Sequence, residues 1–443
     1  MAALASQAEP FGKSDDRPPV VAILPWGDVI EDFLDPLGLT ARAYLQQADG
    51  GWLFGYVAAL QRQGWRPFIV WPSREVEQAE RFIHPFTGAA IWLVPGRSVA
   101  PSRSSARTSL RRWLLQPIAR FEQVLREEGA CAIITQEYED PRFDRLVRLG
   151  ERLKIPVYAS FQGGNVTASW LEARLRGGSF ARSAGLIVSS ARERERIAAS
   201  YASRLPQIVD IPNPIDSDVW EPAPREKARA ALGIDGDCFL AVNHGRVDIH
   251  RKGLDVLVSA WAAIEPVSDE WSNAGPHAGL GEGPGNEVQD RLVLIGSGQD
   301  DVAFGALLAE AQPQGITWLQ GYSTDRQLIR NWLCAADVYV TASRTEGMPV
   351  APLEAMACGI PVIASDADGL SDIFADGEAH GGLVLPRGDV KALAAALRRL
   401  RADPELRLQL GRNARRRVVE AFSIDTVGRG LADLLAPARE CAR

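Results

Sequence analysis

Short apolar runs alternate with helix-forming stretches along most of the chain. The first run, residues 20–27 (VVAILPWG), lacks polar alternation, which is typical of a strand buried on both faces of a parallel sheet. Further runs follow at residues 68–71, 89–94, 131–135, 156–160, 185–189 and 208–211. Helical stretches such as residues 52–63, 113–128 and 191–201 separate most of them. Strands that alternate with helices in this way predict a doubly wound α/β sheet.

The same alternation starts again after a proline-rich segment. Residues 211–224 (IPNPIDSDVWEPAP) show no helical or strand period and therefore predict an interdomain linker. Beyond it, strands are predicted at residues 238–242, 291–295, 316–319 and 382–385, and helices at residues 253–264, 303–311, 325–334 and from residue 390 onward. The predicted divisions are a flexible tail (1–19), a first Rossmann-like domain (20–212), a second one (213–422) and a final helix (423–443). Residues 266–290, rich in Gly, Pro and acids, predict a disordered insertion, with a lid as the alternative.

The most informative stretch is residues 337–366 (DVYVTASRTEGMPVAPLEAMACGIPVIASD). Its first seven residues suit a buried strand, and residues 352–358 suit a short helix that starts at Pro352. The free N–H groups and the positive dipole end of such a helix favour an anion such as a phosphate. Glu346 lies in the preceding loop and Glu354 in the first helical turn. They either address a sugar and a ribose, or are a solvated loop carboxylate and a carboxylate that complements the dipole.

A cationic cluster follows the first strand of the second half. Residues 243–253 (NHGRVDIHRKG) bring Arg246 and Lys252 to a strand end, which in a doubly wound sheet points into the ligand crevice. An arginine fork and a lysine charge together neutralise a diphosphate well. Two surface cations on a loop are the alternative interpretation.

These two stretches resemble those of a known family. The patterns EGMPxxxLEAMACGxPVIASDxxG and GRxxxxxKG are similar to the C-terminal signature of the retaining GT-B glycosyltransferases, where the second element, GRxxxxKG, varies in loop length. This family includes glycogen-synthase-like and mannosyltransferase-like enzymes with an E-x7-E motif. The resemblance covers about residues 20–422 and is densest over residues 243–366. It implies a GT-B fold, in which two Rossmann-like doubly wound domains face a central cleft. It also implies that the final helix, within residues 423–436, packs back on the N-terminal domain.

The resemblance implies functional roles for individual residues of this chain. Arg246 and Lys252 would hold the donor diphosphate, Glu346 would lie near the donor sugar, and Glu354 would hold the ribose hydroxyls. The other implied donor-binding residues are Gly347, Met348, Val350, Ala351, Gly296, Gly321, Tyr322 and Gly51. The acceptor candidates are Gln162, Asn165, Glu137 and Glu139.

Gln162 departs from the family pattern, and Glu137 and Glu139 have an alternative interpretation. Gln162 stands where the family often has a histidine that contacts the donor sugar, although an amide can also hydrogen-bond a sugar hydroxyl. Glu137 and Glu139 follow a predicted strand, where they either bind acceptor hydroxyls or form a polar strand end.

Composition narrows the possible partners. A formal net charge of −7 over 443 residues argues against a general nucleic-acid binder. The five cysteines are odd in number and include no CxxC pair, so a structural zinc is not expected and a reducing cytoplasm is the simplest compartment. We predict no signal peptide and no membrane-spanning segment. Residues 102–120 carry five arginines and no acid, which predicts a solvated helix or, alternatively, a face for anionic lipids at the inner membrane or for an anionic acceptor.

The resemblance implies a function that the residues allow. It is the transfer of a hexose, with retention, from a nucleotide-diphosphate sugar (UDP- or GDP-sugar) to a hydroxyl of a glycan, a lipid-linked acceptor or a small molecule. No metal and no other cofactor is expected. The alternatives are a catalytically inactive GT-B relative that acts as a binding partner, and a sugar-nucleotide epimerase.

Overall fold

The computed structural model describes residues 17–441, apart from residues 36–37, 49, 100–105, 162, 164–169, 202–204, 235–237, 265–289, 322 and 324. Most of the predicted tail and insertion, together with Gln162, Asn165 and Tyr322, therefore lies outside the described residues. The elements of the first half are β1 (Val20–Leu24), α1 (Glu31–Leu34), α2 (Ala41–Gln47), α3 (Gly51–Arg62), β2 (Arg66–Ser73), β3 (Glu80–Ile83), β4 (Ala90–Pro95), α4 (Ala106–Leu115), α5 (Ile118–Glu128), β5 (Ala132–Gln136), α6 (Pro141–Leu153), β6 (Val157–Ser160), α7 (Trp170–Phe180), β7 (Gly185–Val188), α8 (Ala191–Tyr201) and β8 (Ile208–Asp210).

The elements of the second half follow the linker. They are α9 (Arg225–Ala231), β9 (Leu240–His244), α10 (Ile249–Lys252), α11 (Leu254–Ala262), β10 (Arg291–Gly296), α12 (Asp301–Ala311), β11 (Ile316–Gln320), α13 (Arg326–Ala335), β12 (Val338–Thr341), α14 (Ala351–Ala357), β13 (Val362–Ser365), α15 (Leu370–Ile373), a 3-10 turn (Gly377–His380), β14 (Gly382–Leu385), α16 (Val390–Ala402), α17 (Pro404–Ala421) and α18 (Ile424–Cys441).

Each half is built on one twisted sheet. The first sheet has eight strands in the order β3-β4-β2-β1-β5-β6-β7-β8, and the second has six in the order β11-β10-β9-β12-β13-β14. All neighbouring strands are parallel except β3, which pairs with β4 in the antiparallel sense. Apolar clusters cover both faces of each sheet. The predicted doubly wound α/β class is confirmed, and the buried strands explain the unbroken apolar runs.

Two local features differ from the sequence prediction. The helix predicted over residues 113–128 is two helices, because Pro117 lies between α4 and α5 and has no N–H to continue the ladder. The antiparallel edge strand β3 was not predicted. Its sequence ERFI is two charged residues followed by two apolar ones at the edge of the sheet, and so it lacks the apolar run of the other strands.

The last helix, α18, lies against α3 of the first half. Its residues Val427, Leu431 and Leu435 are buried in the apolar cluster of the first sheet. A Cβ on Gly428 would lie 2.7 Å from the Ala59 carbonyl oxygen, so the two helices approach closely at this glycine. The chain thus crosses between the halves twice, once along the linker and once just before α18.

Candidate active site

A cavity of about 370 Å³ lies between the two halves. The first half contributes Gly51 to its wall, beside a group of apolar and aromatic side chains that includes Phe33 and Trp52. The second half contributes five residues that were predicted from the sequence: Arg246, Gly296, Gly321, Val350 and Glu354. The volume is that of an ordinary small-molecule site. The structure therefore gathers six of the predicted donor-site residues around one cavity.

The cavity lies at the carboxyl ends of β9, β10 and β11, because parallel strands end at the same edge of a sheet. Gly296 ends β10 with φ +144°. A Cβ there would lie 1.9 Å from the Gly245 carbonyl oxygen. Only glycine allows the two strand ends to come this close, and the approach brings the backbone that carries Arg246 to the cavity wall.

Lys252 and Glu346 form an ion pair next to the loop that precedes α14. The Lys252 Nζ lies 2.7 Å from Glu346 Oε1, and the Ser343 hydroxyl donates to the same oxygen over 2.7 Å. The Glu346 side chain is 4% exposed and that of Lys252 is 27% exposed. Gly253 ends α10 with φ +62°. It lies so close to the end of β12 that a Cβ added to this glycine would be 2.0 Å from the Ala342 carbonyl oxygen. This tight turn holds Lys252 against the loop.

Arg246 contacts the first half of the chain. Its guanidinium carbon lies 5.4 Å from the centre of the Phe33 ring, in a cation–π arrangement with the first half. The Lys252–Glu346 pair itself is not part of the cavity wall, whereas Val350 and Glu354, further along the same loop and helix, are. The two cations therefore approach the site from different sides.

Glu354 is held by a histidine that the sequence analysis did not single out. The Nε2 atom of His244 lies 2.7 Å from Glu354 Oε2, and both side chains are largely buried at the cavity wall. Tyr339 packs edge-on against the His244 ring and donates its hydroxyl hydrogen to the His244 carbonyl over 3.1 Å. Burial raises the pKa of Tyr339 far above its ordinary value, so its hydroxyl stays a donor. In the sequence, the feature that could have identified His244 as a site residue is its position directly before Gly245 and Arg246.

The loop around Gly347 is enclosed by both halves. A Cβ on Gly163 would lie 2.9 Å from the Gly347 Cα, and one on Gly369 would overlap the Gly347 carbonyl. The side-chain amide of Asn213, in the linker, donates to the Met348 carbonyl over 2.8 Å. Met348 itself is buried, so it acts through its backbone and through packing. This loop is the point where linker, first half and second half meet.

The acceptor candidates that the structure describes lie elsewhere. Glu139 pairs with Arg196 at 2.5 Å, and burial raises its pKa against the effect of that arginine. Glu137 follows β5 with a positive φ of 60°, which is uncommon for a residue other than glycine. Neither residue is among the described residues that line the cavity. Gly347, Met348 and Ala351 lie next to its wall in sequence but do not line it.

Two features of the described residues bear on possible partners. No group of three or more His, Cys, Asp or Glu side chains there could hold a metal ion. No helix of that part of the chain is long and apolar enough to cross a membrane.

Comparison with known proteins finds similarity that includes most of the second half. Residues 224–417 match the family model described as "Glycosyl transferases group 1". The chain is 28% identical over 243 residues to the lipopolysaccharide core biosynthesis mannosyltransferase LpsB of Rhizobium meliloti, a match that covers 52% of this chain and 62% of that protein. It is 30% identical over 275 residues to the alpha-maltose-1-phosphate synthase of Mycolicibacterium smegmatis, covering 59% of this chain and 64% of that protein. The matches thus span less than two thirds of these relatives.

Two solved structures resemble the whole chain. Sucrose-phosphate synthase from Thermosynechococcus elongatus superimposes with a TM-score of 0.72 at 20% identity, over 96% of this chain and all of that one. Anabaena HepE in complex with UDP superimposes with a TM-score of 0.66 at 14% identity, over 95% of this chain and all of that one. The predicted GT-B fold is confirmed. Residues 224–417 thus match the group 1 glycosyl transferase model, within a chain that has the GT-B fold throughout.

Proposed function

We propose that this protein is a retaining glycosyltransferase that moves a hexose from a nucleoside-diphosphate sugar to an acceptor hydroxyl. The observation that carries the proposal is the position of Arg246 and Glu354 on one cavity wall, beside the Lys252–Glu346 pair. Relatives named as a mannosyltransferase and as a maltose-1-phosphate synthase support the reaction class, and they differ from each other in product. The sugar and the acceptor of this chain are therefore left to experiment.

The main catalytic task is to stabilise the departing nucleoside diphosphate. In the reaction the bond between the anomeric carbon and the phosphate oxygen breaks, the acceptor oxygen bonds to that carbon, and the acceptor proton leaves with the diphosphate. Arg246, held over Phe33, and Lys252, held by Glu346, are fixed before the donor arrives. A preorganised charge of this kind contributes about a hundredfold to a thousandfold in rate. The free N–H groups where the loop enters α14 would add to this stabilisation.

Glu354 would bind the ribose of the donor. One of its oxygens already accepts from His244, which fixes the carboxylate at the cavity wall. A fixed carboxylate accepts hydrogen bonds from a pair of vicinal hydroxyls well. His244 would then be a positioning residue for the nucleoside.

Glu346 would act on the donor sugar. Lys252 and Ser343 both hold its Oε1 atom, so the carboxylate cannot turn freely. From there it would accept a hydrogen bond from a sugar hydroxyl or steady positive charge on the ring as the glycosidic bond breaks. The resemblance of the E-x7-E motif supports retention at the anomeric carbon, and NMR of the product formed from an α-linked donor would test it.

The proposed reaction needs no metal, since Arg246 and Lys252 supply the positive charge for the diphosphate. We expect a chelator to leave the rate unchanged. A rate that falls in chelator and returns with Mg²⁺ or Mn²⁺ would contradict this part of the proposal.

Release of nucleoside diphosphate from a panel of UDP-, GDP- and ADP-sugars tests the proposal directly. UDP- and GDP-sugars are the expected donors, and UDP is bound in the HepE structure. We expect release from one donor, lost in Glu346→Gln and retained in Glu310→Gln, a matched change at an exposed glutamate on α12. No release and no thermal stabilisation by any donor would instead favour a binding protein, and isomerisation of the donor without transfer would favour an epimerase.

A further inference from the structure

Helix α4 presents an apolar and basic face to solvent. Leu110 and Leu114 are 57% and 59% exposed, and Leu115 is 38% exposed. Arg107 and Arg111 are also exposed. Residues 107, 110, 111 and 114 follow a spacing of three and four, so they share one side of the helix. The described part of the chain thus carries a short outward stripe of leucines with arginines beside them.

The other side of α4 is firmly docked on the first half. The guanidinium carbon of Arg145, on α6, lies 4.3 Å from the centre of the Trp113 ring, and that of Arg148 lies 5.5 Å from it. Arg112 pairs with the buried Asp28 at 3.0 Å. Because these contacts fix the orientation of the helix, the outward leucines are held in solvent.

Within the part of the chain that the structure describes, the charges on this face lack partners of opposite sign. Residues 106–115 contain no acid, although the whole chain has a net charge of −7. Among the described residues, no carboxylate pairs with Arg107 or Arg111. Exposed arginines elsewhere do find one, such as Arg42 with Glu80. An anionic surface would therefore complement this face.

We propose that the outward face of α4 docks on a membrane surface that contains anionic phospholipids. The guanidinium groups would bind lipid phosphates, while the leucines enter the boundary between headgroups and acyl chains. Ten helical residues span about 15 Å, and so short a stripe offers much less than the roughly 800 Å² per partner of a stable protein interface. A lipid surface does not need a large shaped contact, so it fits the stripe better than a protein partner does.

The position of α4 connects this surface with the cleft. Its partner Asp28 lies just after β1, at the carboxyl edge of the first sheet, and Phe33 from the next helix lines the cavity. A membrane bound through α4 would therefore lie beside the first-half rim of the cleft. If the proposed transfer reaction holds, on which this step alone depends, the acceptor is carried by a lipid.

Vesicle flotation with the full chain tests the surface independently of catalysis. Vesicles of phosphatidylcholine with and without phosphatidylglycerol are compared at low salt. We expect binding only to the anionic vesicles. Each arginine near such a surface contributes about fivefold to partitioning, so R107Q/R111Q should bind about 25-fold more weakly. L110S/L114S should lose about 20-fold to 300-fold, since the exposed half or more of both leucines would no longer be buried at the acyl boundary.

The chain offers a matched control pair on α17. Leu408 is 57% exposed, and Arg412 is exposed one turn further along. L408S/R412Q should bind anionic vesicles like the wild type. Equal loss in the control pair, equal binding to both vesicle types, or no binding by the wild type would overturn the proposal. Self-association that only the α4 variants abolish, without vesicle binding, would assign the face to a second copy of the chain.

Nucleoside-diphosphate release from a soluble donor separates the two proposals. The α4 variants should keep this activity at the wild-type level, because none of the changed residues lines the cavity. Vesicle binding by a chain that releases no diphosphate would refute the transferase proposal and leave the docking surface standing.

Discussion

Replacing Lys252 with methionine should affect stability and activity in ways that can be separated. The change removes the cation 2.7 Å from Glu346 while keeping a similar apolar stem. Of the described side chains, only Ser343 then still donates to this carboxylate, which is 4% exposed. Removing one partner of a fully buried pair costs about 3–5 kcal/mol. Because Lys252 is 27% exposed and water can reach its place, we expect a loss of about 2 kcal/mol in the free energy of unfolding.

The same variant should lose much more activity than this instability explains. If Lys252 stabilises the departing diphosphate, kcat/KM should fall about a hundredfold to a thousandfold, or about 2.7–4 kcal/mol in transition-state stabilisation. The double variant Lys252→Met/Glu346→Gln separates the two effects. A neutral amide needs no charged partner, so its unfolding free energy should return to within about 1 kcal/mol of the wild-type value. Its activity should remain lost.

A double-mutant cycle tests this reasoning. Urea denaturation and nucleoside-diphosphate release are measured on the wild type, on both single variants and on the double variant. Glu346→Gln alone should unfold much like the wild type, since its carbonyl oxygen still accepts from Lys252 and Ser343. The reasoning fails if Lys252→Met keeps kcat/KM within about threefold of the wild type. It also fails if the double variant is as unstable as the lysine variant, because the cost would then not come from an unpaired carboxylate.

Three further predictions concern the frame around the site. Burial opposes ionisation of Glu128, but hydrogen bonds from Arg81 and Arg66 outweigh it and lower the pKa from 4.5 to about 2. The ionised Glu128 carboxylate therefore stabilises the fold fully above about pH 4.5, and this stabilisation is lost as the pH falls toward 2. The difference in Tm between the wild type and Glu128→Gln should shrink over the same pH range. Asn213→Ala leaves a buried loop carbonyl without its donor, and chemical denaturation should show a loss of about 1–3 kcal/mol. Deleting residues 424–443 exposes the apolar cluster that α18 covers. Each large side chain left exposed costs about 1.5–3 kcal/mol in the free energy of unfolding, so we expect the truncated protein to be insoluble. A soluble truncated chain with an unchanged Tm would contradict this.

The architecture was predictable because its signal is local. A strand buried on both faces must be apolar throughout, and each run of this kind, such as residues 20–24, became a parallel strand. The stretch 337–366 folds nearly as predicted, as β12, a loop, α14 and β13. Proline and glycine mark the limits of α14, since Pro352 lies in its first turn and Gly359, with φ +78°, lies past its end.

The contacts within the site were less predictable because they join residues far apart in the chain. The sequence placed Arg246 and Lys252 together at one strand end, whereas the structure gives them separate partners, Phe33 and Glu346. The first of these contacts exists only because the two halves face each other. His244 escaped notice for a similar reason, since its partner Glu354 is 110 residues further along the chain.

A movement between the two halves would change the surroundings of Glu346 through the loop that carries this residue. It contacts Gly163 of the first half through backbone atoms, and Asn213 of the linker bonds to the carbonyl of Met348. The chain connects the halves through the linker and through the crossing before α18, and the linker is bonded to this loop. Lys252 and Ser343 hold Glu346 from within the second half. The position of the carboxylate therefore depends on the second half, while access to it depends on the first, so closing of the cleft would complete the site without displacing its charges.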